Sequence, residues 1–166
     1  MKKIWKILTI ILIAIVVLIV FVIAADKIYG KIIKVEPGYI YLSKENSEEE
    51  IKAVRGSYSW REKTLISYIN VNADASSPLT FDYTQTIKAK PGEKIYFKDD
   101  ENWNSIVASV IFGKDRIEIV KVSIESNLEE RYIVVPEMEK GKHVVQMDMK
   151  SEKGEAWYTF QLDIVE

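Results

Sequence analysis

Ile7 to Ala25 is a run of 19 residues in which Thr9 carries the only polar side chain, and no other feature restricts this chain's fold as strongly. At ~1.5 Å of rise per residue, a helix over the run covers ~28 Å, close to the hydrocarbon thickness of a bilayer. A globular helix that is apolar on every face has to lie at the centre of a large core. The 141 residues that follow are too few to build one around it. The run therefore predicts a transmembrane helix over residues 7–25. Lys2, Lys3 and Lys6 precede it and Asp26 follows it, so the positive-inside bias places a stub of residues 1–6 in the cytoplasm and residues 26–166 outside. Trp5 suits an interfacial anchor. The rival is a cleaved signal peptide, whose apolar region usually runs ~7–15 residues to a small-x-small site. Val22 with Ala24, or Ile23 with Ala25, offers that site only weakly, so a retained signal-anchor in the cell membrane is expected, with secretion as the alternative.

The 166-residue chain has a formal net charge of −2 with its one histidine neutral. The charges ahead of the apolar run are all basic, which leaves residues 26–166 at −5. So mildly acidic a body argues against a nucleic-acid partner, because phosphate-backbone binding needs a basic surface. The absence of cysteine excludes a disulfide framework, a thiolate zinc site, iron–sulfur ligation, a lipoprotein anchor and a thiol nucleophile.

Beyond the run the pattern changes to short stretches of Ile, Val, Tyr and Phe separated by Gly, Pro, Asn, Asp and charged clusters, the pattern of an all-β body. Ile28–Val35 and Tyr39–Ser43 flank Glu36-Pro37-Gly38 and read as a juxtamembrane strand pair; with the charged stretch 44–50 they form a segment over 26–50. A β-sandwich is expected over 51–166. Ile51–Arg61 alternates, with Val54, Tyr58 and Trp60 assigned to one face and Ala53, Arg55, Ser57 and Ser59 to the other. Further strands are read around Leu65–Val71 and at Phe81–Ala89, Lys94–Lys98, Ile106–Phe112, Ile117–Ile124 and Arg131–Val135.

The clearest segment is the last. His143, Val145, Met147 and Met149 alternate against Val144, Gln146, Asp148 and Lys150, and Ser151-Glu152-Lys153-Gly154 turns the chain. A second run then follows, with Tyr158, Phe160, Leu162 and Ile164 facing one way and Trp157, Thr159, Gln161 and Asp163 the other, which predicts an antiparallel hairpin. Glu139-x-Gly141-x-His143-x-Val145 resembles the tyrosine-corner segment of immunoglobulin-like sandwiches, with His143 where that family has Tyr and Val145 where antibody domains have Cys. Gly154-x-x-Trp157-Tyr158-x-Phe160 is similar to the closing strand of small extracytoplasmic sandwich domains behind a single N-terminal anchor in Gram-positive bacteria. The resemblance covers about the last thirty residues. It implies an immunoglobulin-like fold preceded by one transmembrane helix, and no activity.

The usual catalytic motifs are missing. Gly56-Ser57-Tyr58-Ser59-Trp60 lacks the second Gly of a nucleophile elbow, and a single histidine excludes the His-Glu-x-x-His zinc site. His143 is the one side chain whose ordinary pKa lies near neutrality, and it reads as a structural corner residue beside Gly141 rather than a base. Asp99-Asp100-Glu101-Asn102-Trp103-Asn104 holds the candidate contacts: Asp99, Asp100 and Asn102 as oxygen ligands of the kind Ca²⁺ takes, and Trp103 to stack on a sugar or fill a partner pocket. Its spacing does not match a calcium loop, so no metal and no cofactor are expected. Trp157 lies on the polar parity of its strand and is either an interface aromatic or covered, with Ile28–Ser43 as the suggested cover.

These readings predict a membrane-anchored extracytoplasmic module that binds a protein partner or a cell-envelope ligand and is not an enzyme. The alternatives are a sensor or regulatory subunit acting through a partner membrane protein, a secreted inhibitor or adhesin, and an enzyme using carboxylates such as Asp82, Asp99 and Asp100. The sensor reading gets no support from small-xxx-small spacing in the apolar run, where Ala stands only at 14, 24 and 25.

Overall fold

The computed structural model describes residues 2–45, 47–83, 85–99, 101, 103–112, 115–123 and 131–166, with backbone only for 112 and 115–123. The chain is one N-terminal helix followed by mostly antiparallel β-structure, and it divides into two compact units.

The first unit comprises Met1–Val35 and Arg61–Asn70. Its helix α1 runs unbroken from Lys2 to Ile32 and is long and apolar enough to cross a membrane. The side chains of the apolar run are exposed all round, Phe21 to 69%. The one buried residue of α1 is its one acid, Asp26. Its carboxylate accepts from the Ile66 amide (2.9 Å) and the Ser67 hydroxyl (2.6 Å).

The strand expected at Ile28–Val35 does not form, since α1 occupies it to Ile32 and Ile33 still donates to the Tyr29 carbonyl at 3.1 Å. The β-branched residues there suggested a strand. A helix already nucleated instead extends at one hydrogen bond per residue, with neither Gly nor Pro before Gly30 to stop it. Of the expected pair only the second strand forms, at Tyr41–Lys44.

The second unit is Glu36–Trp60 with Val71–Glu166, and the strands of the chain form two sheets, with the last residues of β3 and the first of β4 counted in the first unit. One has the order β2-β1-β6-β9, formed by Ile51–Lys52, Tyr41–Lys44, Lys94–Lys98 and Tyr132–Val134. The other has the order β4-β3-β11-β10-β7-β8, formed by Tyr68–Ala73, Val54–Lys63, Gly154–Ile164, Gly141–Ser151, Trp103–Phe112 and Asp115–Ser123. Strand β5, Thr86–Ala89, adds to β11 in parallel, Gln161 opposite Thr86, on the edge β11 also uses for β3. The charged stretch after β1 connects it to β2.

The β10–β11 hairpin forms with the expected register, Ser151 opposite Gly154 and Val145 opposite Phe160. Gly154 is required at this turn: its φ is +150°, and a Cβ there would fall onto the Ser59 carbonyl of β3. The core draws on both sheets, with Leu42, Ile95 and Ile133 from one and Trp60, Trp103, Met147, Tyr158 and Phe160 from the other, all at most 2% exposed. The face assignment in β3 needs correction. Residues opposite each other share a face, and Tyr158 faces Arg55 while Ala156 faces Tyr58. Gly56 and Ser57 together therefore oppose Trp157. This bulge flips the parity, so Arg55 rather than Val54 shares the inner face of Tyr58 and Trp60. Arg55 is accommodated there by the Glu36 carboxylate and the Pro37 carbonyl, both at 2.5 Å.

Tyr158 is fully buried and donates to the Gly38 carbonyl at 2.7 Å; burial pushes its phenol well above the ordinary value. The unfolded chain would ionise this group near pH ~10 while the folded chain keeps it neutral, so stability falls as pH rises through the ordinary tyrosine range. Melting temperatures measured from neutral to strongly alkaline pH should drop less steeply for Tyr158→Phe than for the parent chain.

Candidate functional site

Counting outward from the Ser151–Gly154 turn, Lys150 lies opposite Glu155 and Asp148 opposite Trp157. On the other edge of β11, Ser59 lies opposite Glu155, and the Gly56–Ser57 bulge opposite Trp157. The inner face takes Ala156 and Tyr158, so these partners form two rows on the outer face: Ser59–Glu155–Lys150 and Ser57–Trp157–Asp148. Asn72 of β4 and Asp74 just beyond it complete one side of a cavity of about 710 Å³ that runs over these strands.

Its charged groups are partly engaged. Lys150 lies 3.3 Å from the Glu155 carboxylate, and the Gln146 amide donates to Asp148 at 2.6 Å. Ser57 Oγ accepts from the Ala75 amide (2.9 Å), which ties the exit of β4 to β3.

Trp157 forms the floor at the bulge. A Cβ on Gly56 would fall inside the Trp157 ring, so the missing side chain is what lets the indole lie flat on β3. Phe81 stacks on the same ring with centroids 5.8 Å apart and planes at 18°, and Tyr83 packs edge-on to Phe81. The suggested cover from Ile28–Ser43 is thus replaced by the segment around the 3-10 turn Pro78–Thr80. The half-buried indole is thus held by Phe81 and by the bare backbone of Gly56.

The structure redistributes the other sequence candidates. Trp103 is not a loop residue. It opens β7, is 1% exposed, and packs on Trp60 (centroids 5.5 Å) and edge-on to Tyr158 (6.1 Å). The Asp99 side chain is also 1% exposed, ion-paired with Arg131 and accepting from the Glu101 amide at 3.0 Å. Burial pushes this carboxyl up, against the guanidinium that favours its charged form. Both side chains are therefore buried and engaged within the fold, Asp99 by Arg131 and Trp103 by Trp60 and Tyr158. Asp100 and Asn102 lie outside the described residues. Among the described residues no three His, Cys, Asp or Glu side chains converge to hold a metal ion. His143 donates through Nε2 to the Glu139 carbonyl four residues upstream, at 2.8 Å.

Sequence reading missed Ser57, Ser59, Asp148, Lys150 and Glu155 as a group. The turn at Ser151–Gly154 was the signal for the β10–β11 pairs, but the contribution of β3 depends on a bulge with no marker except Gly56.

Comparison with protein-family models, curated proteins and solved structures returns no match. Chemically, the cavity offers hydroxyls, an amide, three carboxylates and one ammonium around an aromatic edge. That set can hydrogen-bond a polar ligand or chain.

Proposed function

We propose that this chain is a single-pass, membrane-tethered β-sandwich of immunoglobulin-like type that works as an extracytoplasmic binding or accessory module, holding a protein partner or cell-envelope ligand near the membrane, and that it is not an enzyme. The observation that carries this reading is the polar cavity on the outer face of β4-β3-β11-β10, in a chain that also has an apolar helix exposed on every side. Such a helix is stable only in an apolar solvent or assembly.

Two features support the immunoglobulin-like reading. Both sheets contribute the core, and the His143 to Glu139 hydrogen bond takes the place of the corner tyrosine's bond to the upstream backbone. Retention of the anchor is supported by α1, which passes through Ala24 and Ala25 without a break and buries Asp26 just beyond them. Lys27, Lys31 and Lys34 follow the run as Lys2, Lys3 and Lys6 precede it, so the direction of insertion is a matter for protease protection on intact cells.

The test places a photo-crosslinking residue at Ser59 in the full-length protein, with Lys90 as a site outside the cavity. A discrete adduct from Ser59 alone, on protein of full-length mass in the membrane fraction, is the expected result. Equal or absent crosslinking from both positions would remove the cavity as the binding site. Recovery of a shortened chain from the medium would replace the tether with a secreted domain.

A further inference from the structure

The turn between β3 and β4 has an unusual composition. Thr64 and Ser67 close it, the Thr64 amide donating to the Ser67 carbonyl (2.9 Å) and the Ser67 amide to Thr64 Oγ1 (3.0 Å). Its two central residues are Leu65 and Ile66, 53% and 59% exposed, where hairpin turns ordinarily carry Gly, Asn, Asp or Ser.

The turn is held to α1 within the first unit. Leu65 joins Phe21, Ala24, Ala25 and Ile28 around an apolar cleft, and Asp26 receives the Ile66 amide and Ser67 hydroxyl. Phe21, Ala24 and Ala25 are the last turn of the apolar run. Leu65 is therefore level with the end of the span, because helix position converts directly to depth at ~1.5 Å per residue.

The charge of this region has the opposite sign to that of the rest of the body. Beyond the C-terminal end of the apolar run the unit carries Lys27, Lys31, Lys34, Arg61 and Lys63 against Asp26 and Glu62, whereas residues 36–60 with 71–166 sum to −8. Tyr29 and Tyr68 are both exposed at this level, and the Arg61 guanidinium lies 5.5 Å over the Tyr68 ring. Exposed aliphatics continuous with a membrane span, ringed by Tyr, Lys and Arg, are the composition of a bilayer interface.

We propose that the Thr64–Ser67 turn docks into the leaflet on the body's side of the membrane, with Leu65 and Ile66 at the acyl boundary and the basic side chains on anionic headgroups. This inference rests on the reading of residues 7–25 as a membrane span. It gives the tether a second point of attachment, with the Asp26 carboxylate fixing the turn against the helix where the apolar run ends.

The chain has no cysteine, so single probes can be placed without background. Leu65→Cys, Ile66→Cys and Val17→Cys in the full-length protein are labelled with a small fluorophore. The labelled proteins are reconstituted into vesicles of phosphatidylcholine with or without phosphatidylglycerol, then challenged with lipid-borne nitroxide or aqueous iodide. The expected result is strong nitroxide quenching and iodide protection at 65 and 66 as at 17, with quenching at 65 and 66 rising several-fold when phosphatidylglycerol is present. Iodide quenching at 65 and 66 with 17 still lipid-quenched would overturn the docking and leave the span intact. Protection from both quenchers at 65 and 66 would mean that protein covers the turn, which also overturns it. Iodide access at 17 would remove the span and the proposal together.

Discussion

Trp103→Ala should unfold the β-structured unit at markedly lower temperature, costing about 3–5 kcal/mol, and should do so whether or not any ligand is present. Trp103 fills the space between Trp60 and Tyr158 with 1% of its surface exposed. Its removal leaves a cavity lined by two other large aromatic side chains, which cannot all collapse into it. For a domain of this size the loss corresponds to a melting temperature lower by roughly 10–20 °C, read by circular dichroism. Trp103→Phe keeps an aromatic edge against Tyr158 and should cost clearly less. An unchanged melting curve for Trp103→Ala would mean the indole sits at the surface as a contact residue.

Gly56→Val acts through one ring. The added side chain occupies the space of the Trp157 indole, which has to leave β3 and break its stack on Phe81. Overpacking costs about 1–3 kcal/mol and a lost aromatic pair adds roughly 0.5–1.5 kcal/mol. The expected signature is a lower melting temperature together with a red shift of tryptophan emission. The decisive comparison is the double mutant. In a Trp157→Ala background the clash is gone, so Gly56→Val should cost much less than it does alone, a coupling that independent sites would not show. Additive effects would place the two residues out of contact.

Much of the architecture was legible in the sequence because it depends on local periodicity. The apolar run, the strand at Lys94–Lys98 and the β10–β11 hairpin all follow from side-chain period and one turn, and each forms as expected. The failures occur where a nonlocal contact decides. Ile28–Val35 has strand composition, but it continues a helix whose Asp26 is held by the amide of Ile66, forty residues further on. Trp103 follows a polar stretch that reads as an exposed loop, yet the β7–β10 register carries it into the core, with Ser151 as its partner. Trp157 kept its predicted parity. What covers it was not legible, because Phe81 reads as the start of a strand over Phe81–Ala89, whereas β5 begins only at Thr86 and Phe81 lies instead on the ring of Trp157, seventy-six residues further on. The cavity depends on a register between β3 and β11 that a single bulge shifts by one residue, and in a strand one residue exchanges every side chain between faces. The apolar helix, the β-rich body and the polarity of each hairpin strand follow from the order of side chains along the backbone and were legible without any tertiary contact. How far the helix runs, which tryptophan is core and which polar groups meet were settled by folding, because those outcomes depend on pairings between segments whose contacts are not encoded in either segment alone.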